Sequence, residues 1–251
     1  MSWCDKLASR PIVGLSFNKH FRPSSELLSA VAPLLDELAG RLSDKFTLAK
    51  QDPFSVEFIT ESGFKYNIDP ARISVEFQHR LKLVNTSGGM PKTQMLSKAE
   101  PYTHMLIEVG KRAVAAAELL VTQPNRVLER IGVVSVTLVN DDDAPPGIRR
   151  GIDYLSRPWS AVESYHFQTT AGVARTDEWE DRCIHTLVKP ETDDDEKLVT
   201  MQFDYQRKLT SKKGISSVKS SVSAVQEAAL KYFEDLAQGD MFDANGDSAI
   251  E

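Results

Sequence analysis

A chain of 251 residues and 28.0 kDa can form one large domain or two of modest size, and at this length roughly 70–75 % of the unfolded surface is buried on folding. Hydrophobic residues at 41 %, charged residues at 26 %, and 13 Gly with 12 Pro exclude collagen, a coiled coil and a wholly disordered chain. The 30 basic and 36 acidic residues leave a net charge of −6, which argues against a phosphate backbone as the main partner. Cys4 and Cys183 stand far apart in the chain and fit a reducing compartment, so a cytoplasmic location is expected. The opening residues lack the basic patch and apolar run of a secretory signal. The longest apolar run, residues 113–121, is interrupted by Glu118 and falls short of the ~20 residues that span a bilayer, so no membrane partner is expected.

In chain order, Val13, Leu15 and Phe17 alternate with Gly14, Ser16 and Asn18, which predicts a half-buried strand. Leu27, Leu28, Val31, Leu34, Leu35, Leu38 and Leu42 then recur at helical spacing, with Pro33 marking a kink or a restart. Short runs at 46–50, 56–60, 64–68 and 73–80 are separated by Asp52-Pro53, Ser62-Gly63 and Asp69-Pro70, the punctuation of an antiparallel meander. Residues 85–92 read as a loop. Pro101 suits the first position of a long helix running to about Thr122, with Met105, Leu106, Val109, Ala113, Ala116, Ala117 and Leu120 on its apolar face. Glu108, Lys111, Arg112 and Glu118 are assigned to its solvent side.

From Arg130 the order begins again. A strand through Val134, Val136 and Leu138 leads to a turn at 142–147 and a short helix at 148–155. Strands near 162–175, 180–189 and 197–209 precede a final helix over 221–237, whose buried stripe is Val222, Val225, Ala229, Phe233 and Leu236. The third of those strands alternates most strongly, with Val199, Met201, Phe203 and Tyr205 opposite Thr200, Gln202 and Asp204. The reading is therefore α+β: two similar halves, 1–125 and 126–239, each a curved antiparallel sheet on a long helix, followed by a flexible tail at 240–251.

The segments Arg10-Pro11-Ile12-Val13-Gly14-Leu15-Ser16-Phe17 and Arg130-Ile131-Gly132-Val133-Val134-Ser135-Val136 resemble the pattern of a sporadically distributed bacterial family of about this length with no assigned function. The element order of each half is similar to the TATA-binding-protein-like and helix-grip folds. The first resemblance implies a bacterial source and no activity, and the second implies a scaffold shared by binders of nucleic acid, lipid and small molecules.

Several chemistries are weighed against plainer readings. Residues 243–251 follow a calcium loop through the oxygen-bearing side chains of its first, third and fifth positions, Asp243, Asn245 and Asp247, but Ser248 replaces the turn glycine and the twelfth-position glutamate is missing, so a solvated tail is expected. The acidic runs at 141–143 and 193–196 read as exposed turns. The histidines at 20, 79, 104, 166 and 185 lack zinc-site spacing. Cys183 and His185 share a strand face, and with His166 nearby an activated thiolate is conceivable, against the plainer reading of an inert buried cysteine. No nucleophile elbow, phosphate loop or dinucleotide fingerprint is present, and no cofactor is expected. Basic residues cluster at Arg149, Arg150 and Arg157, and at Arg207, Lys208, Lys212, Lys213 and Lys219; the second cluster is a phosphate-binding candidate, opposed by Glu57, Glu76 and Asp204 at polar strand positions.

What remains is the polar side of the second half, where strand parity places His166, Gln168 and Thr170 with Thr200, Gln202 and Asp204. The leading expectation is a non-enzymatic binding or interaction protein that holds a protein partner or a copy of itself, with His166, Gln168, Gln202 and Asp204 as binding residues. The alternative is a small-molecule binder or an enzyme using the same polar face. Nucleic-acid binding through residues 207–219 ranks last, and no catalytic or metal-binding residue is assigned.

Overall fold

The computed structural model describes residues 2–6, 10–23, 26–78, 81–84, 92–95, 100–122, 126–156, 162–190, 198–213 and 217–239. Its strands are β1 (Arg10–Phe17), β2 (Phe46–Gln51), β3 (Val56–Thr60), β4 (Phe64–Ile68), β5 (Arg72–Phe77), β6 (Leu81–Val84), β7 (Lys92–Met95), β8 (Leu128–Asn140), β9 (Tyr165–Arg175), β10 (Trp179–Lys189) and β11 (Leu198–Lys213). Its helices are α1 (Trp3–Lys6), α2 (Leu27–Leu42), α3 (Tyr102–Leu120), α4 (Pro146–Ser156) and α5 (Val218–Gln238). β6 and β7 pair with each other, and the other strands form one nine-stranded sheet in the order β2-β3-β4-β5-β1-β8-β11-β10-β9. Every neighbouring pair in it is antiparallel. The fold is thus mixed α and β with an antiparallel sheet, as the alternating polarity requires.

β1 and β8 lie side by side at the middle, with Ile12 opposite Val134, Gly14 opposite Gly132 and Ser16 opposite Arg130. Residues 1–125 and 126–239 therefore contribute to a single sheet, and their buried side chains form one continuous core. Strand alternation sends Val13, Leu15, Ile73, Val75, Ile131, Val133, Met201 and Phe203 to the same side, where each is buried. α3 packs over β1 and β5, while α5 packs over β8 and β11. The two helices touch where Gly110 of α3 makes room for the side chain of Gln226, whose Nε2 donates 2.5 Å to the Leu106 carbonyl. At the other end of α5, Gly147 of α4 lies against the Leu236 carbonyl and Gly239, which ends α5 at φ +94°. The short helix α1 is fastened to α5 as well, because the Trp3 and Cys4 amides donate to the Glu234 carboxylate at 2.9–3.4 Å.

Three local expectations change. Pro33 does not restart its helix: α2 runs unbroken from Leu27 to Leu42, with the ring on the exposed side, where the Ser29 carbonyl it leaves unbonded can turn to water. The loop expected through residue 92 ends earlier, since Lys92–Met95 pairs with Leu81–Val84. Arg112, assigned to the solvent side of its helix, is 6 % exposed. Its Nη1 donates to Asp44 at 2.9 Å and its Nε to Glu108 at 3.2 Å, and its guanidinium lies 3.8 Å over the Phe64 ring. The turn after α2 brings Asp44 against the flank of α3, and a helical wheel drawn for α3 alone cannot register that neighbour. The tail at 240–251, the acidic run at 193–196, His79 and Arg157 lie outside the described residues.

Two measurements check this packing. Gly147→Ala places a methyl group against the backbone of Leu236 and Gly239, whereas Gly40→Ala on exposed α2 meets nothing within 4 Å. The first should cost about 1–3 kcal/mol or more in urea unfolding and the second should gain about 0.5–1 kcal/mol. Burial pushes the Asp44 carboxyl up, but hydrogen bonds from Ser62, Thr60 and Arg112 outweigh it and hold the group below its ordinary value. Its contribution is therefore complete above the unfolded carboxyl pKa of ~3.9 and lost as pH falls through the folded value. Asp44→Asn should flatten the acid limb of a stability profile, and Arg112→Ala, which strands a buried carboxylate, should cost about 3–5 kcal/mol at neutral pH.

Candidate functional site

Among the described residues the helices cover one face of the sheet and none packs on the other, which is termed the open face. On the open side, register brings Ser74 and Arg72 of β5, Gly14 and Ser16 of β1, Gly132 and Arg130 of β8, and Asp204 and Gln206 of β11 into adjoining positions. Gly14 and Gly132 are direct cross-strand partners, so the middle of this face has a floor of bare backbone. Arg72 is exposed and lies over Gly14, its nearest guanidinium nitrogen 3.5 Å from where a Cβ would stand. On the other flank, the Asp204 Oδ1 lies 4.0 Å from the equivalent position at Gly132.

Asp204 is half-buried on this face. Burial raises its carboxyl pKa, and the hydrogen bond from Gln206 Nε2 at 2.6 Å and the charges of Arg72 and Arg130 offset that only in part. Gln206 in turn accepts from Arg130 Nη1 at 3.4 Å, so the amide links the carboxylate to a cation. Further out, Lys65 lies between Glu57 and Glu76 at 3.3 and 3.7 Å, one cation against two carboxylates, so this flank keeps a net negative charge. The strands of the nine-stranded sheet direct no Phe, Tyr or Trp to this side.

His166, Gln168, Gln202 and Asp204 all stand on the open face, as strand parity requires, but they do not converge. β10 runs between their strands: Thr186 separates Gln168 from Gln202, Ile184 separates Thr170 from Asp204, and Val188 is opposite His166. Two strand spacings put β9 and β11 about 10 Å apart. Gln168, Thr186 and Gln202 form a cross-strand row, with His166 exposed at the sheet margin. Arg72, Arg130, Gln206 and the two glycines went unassigned as site residues because their convergence depends on β1 lying next to β8, which no local pattern encodes. The one local signal the sequence offered was a glycine inside each of two strand-like segments, Gly14 and Gly132.

The other candidates resolve differently. Cys183 and His185 point to the covered face, away from His166. Burial pushes the Cys183 thiol up to about 12 and the His185 imidazole down, so the thiol is protonated at neutral pH. The imidazole stacks on Tyr232 with its Nδ1 3.2 Å from the Thr169 hydroxyl. Arg207 leaves the basic cluster of residues 207–219, since its Nε and Nη2 each bond buried Asp181 at 2.6 Å and its guanidinium lies 3.9 Å over Trp179. Lys208 and Lys219 are exposed. Arg149 and Arg150 line an open cleft of about 840 Å³ together with Trp3, Asp142, Asp143 and Asp153, a wall of both signs.

Among the described residues no three His, Cys, Asp or Glu side chains gather as metal ligands, and no helix is long and apolar enough to cross a membrane. Neither protein-family models nor curated protein sequences match the chain.

Asp204 supplies a direct test of this site. Its folded pKa lies above the unfolded value, so folding favours the protonated form, and the charged form counts against stability as pH rises through the folded pKa. Asp204→Asn should raise the melting temperature at pH 7, and the gain should vanish below the unfolded carboxyl pKa of ~3.9.

Proposed function

We propose that this chain is a non-enzymatic binding protein of the bacterial cytoplasm, built from a duplicated α+β unit, whose open sheet face receives a protein partner. The observation that carries the reading is the Gly14–Gly132 pair. Glycine weakens a strand interior by up to ~1 kcal/mol relative to a β-branched residue. Neither position adopts a positive φ, and an added Cβ would meet nothing nearer than 3.5 Å at Gly14 and 4.0 Å at Gly132. The chain's own packing therefore does not require glycine at either place. What the pair provides is close approach to the backbone from outside.

The rim chemistry favours a protein surface as the visitor. Arg72 and Arg130 lie with Asp204 around the floor, so a partner bearing both signs is matched, whereas a phosphate backbone would meet Glu57, Glu76 and Asp204 and find no aromatic wedge. The strand order supports the duplication: β5, β4, β3 and β2 follow outward from β1, and β11, β10 and β9 follow outward from β8. Two buried, unbridged thiols suit the cytoplasm.

A second reading, a small-molecule binder or enzyme acting through His166, Gln168, Gln202 and Asp204, draws support from the raised Asp204 carboxyl, since perturbed carboxylates concentrate at functional sites. The two readings separate by experiment. Gly132→Val adds a strand-favouring side chain at a position where a Cβ meets nothing nearer than 4.0 Å, so the melting temperature should hold or rise. A protein should co-purify with the wild-type chain in stoichiometric amount and be missing from the variant. Retention of that protein by the variant would sink the open-face reading. Under the second reading, a small molecule would raise the melting temperature of the wild type and fail to do so for Asp204→Asn.

A further inference from the structure

The two margins of the sheet are built differently. β2 carries Lys50, has a register shift between Leu48 and Lys50, and runs into Asp52-Pro53, all features that blunt a strand edge. β9 is almost twice as long and contains no Pro, Lys, Asp or Glu; from residue 166 to residue 174 it carries no fixed charge. Its pairing with β10 is regular from Tyr165 to Gly172, and the bulge comes only beyond that stretch. Among the described residues no strand pairs with its outer side. A long, regular, uncharged edge is the kind that soluble proteins otherwise cover or charge.

We infer that β9 is a self-pairing edge, and that two copies of this chain join along it, antiparallel, about a two-fold axis at Thr169. The occupant is a second copy because the segment complements itself about that residue. Antiparallel pairing there sets His166 opposite Gly172, Phe167 opposite Ala171 and Gln168 opposite Thr170, so a larger side chain meets a smaller one at each step and no like charges face each other. Parity is preserved in every pair, keeping Phe167 and Ala171 on the helix-covered side and Gln168 and Thr170 on the open side. Phe167 and Ala171 are only half-buried within one chain, because the helical layer is centred on β1, β5, β8 and β11. A partner strand extends the cover over them and satisfies the outward amides and carbonyls between residues 166 and 172.

This deepens the reading of the chain as a binding protein by naming one partner, and it uses a different surface from the Gly14–Gly132 floor, so the two stand or fall separately. Gln168 and Thr170 are exposed in the single chain, and in the pair each faces the other across the axis. The double variants Gln168→Lys/Thr170→Lys and Gln168→Glu/Thr170→Glu therefore set like charges opposite each other at both contacts. Light scattering on the full chain should give twice 28.0 kDa for the wild type and 28.0 kDa for each double variant, with unchanged far-ultraviolet circular dichroism. An equimolar mixture of the two variants should recover the doubled mass. Thr169→Cys should form an intermolecular disulfide under mild oxidation, since facing Cα atoms in an antiparallel pair are about 4.5–5.5 Å apart and Cys4 and Cys183 are buried. A wild-type chain of single mass at every concentration, a dimer that survives both double variants, or a dimer that Thr169→Cys does not cross-link would each overturn the inference. A single-mass wild type would leave the Gly132→Val test of the open face unaffected.

Discussion

The structure depends on the pairing of β1 with β8. Without it there would be two smaller sheets, each with a central strand turned into an exposed edge. With it, one nine-stranded surface forms, broad enough for α3 and α5 to lie side by side across it. The pairing also fixes the lateral spacing of those helices, and Gly110 with Gln226 is the accommodation that lets them meet. A one-residue slip between β1 and β8 would turn either Val13 and Leu15 or Ile131 and Val133 to the solvent side, so burial holds the register firmly.

The same pairing makes the two sides of the sheet unequal. Under the helices the core is continuous and its few charges are matched: Arg112 with Asp44 and Glu108, Arg207 with Asp181. Such buried pairs fix geometry more than they add stability, because taking the ions out of water costs about as much as their attraction returns. Arg112 ties the turn after α2 to α3 and the β3–β4 hairpin, and Arg207 ties β11 to β10. On the open side the polar side chains are half-covered by one another, and Asp204 stands out there as a carboxylate whose surroundings oppose its charge.

Much of the element order was legible because period-two and helical spacing follow directly from backbone geometry, and Val199, Met201, Phe203 and Tyr205 all stand where alternation placed them. α1, β6 and β7 were not, and in β8 Val134, Val136 and Leu138 face the open side while Ile131, Val133, Ser135 and Thr137 are buried. Parity likewise put His166, Gln168, Gln202 and Asp204 on one side of the sheet. It could not give the lateral order of strands, so it could not show that β10 separates the first two from the last two, nor that Gly14 and Gly132 are neighbours. Arg112 was misassigned for a related reason: its environment comes from Asp44, 68 residues away in the chain. Local rules describe each segment's faces, and long-range contacts decide what each face meets.

The binding of the Trp3 and Cys4 amides by Glu234 carries a consequence for biosynthesis. α1 is held by a carboxylate of α5, and β1 must wait for β8, more than a hundred residues later, before its second flank is filled. Loop closure over such separations is slow, so native assembly is delayed until β8 and α5 have been made. In the interval the β1–β5 portion presents an unpaired strand margin, the kind of edge that invites wrong pairing until β8 arrives.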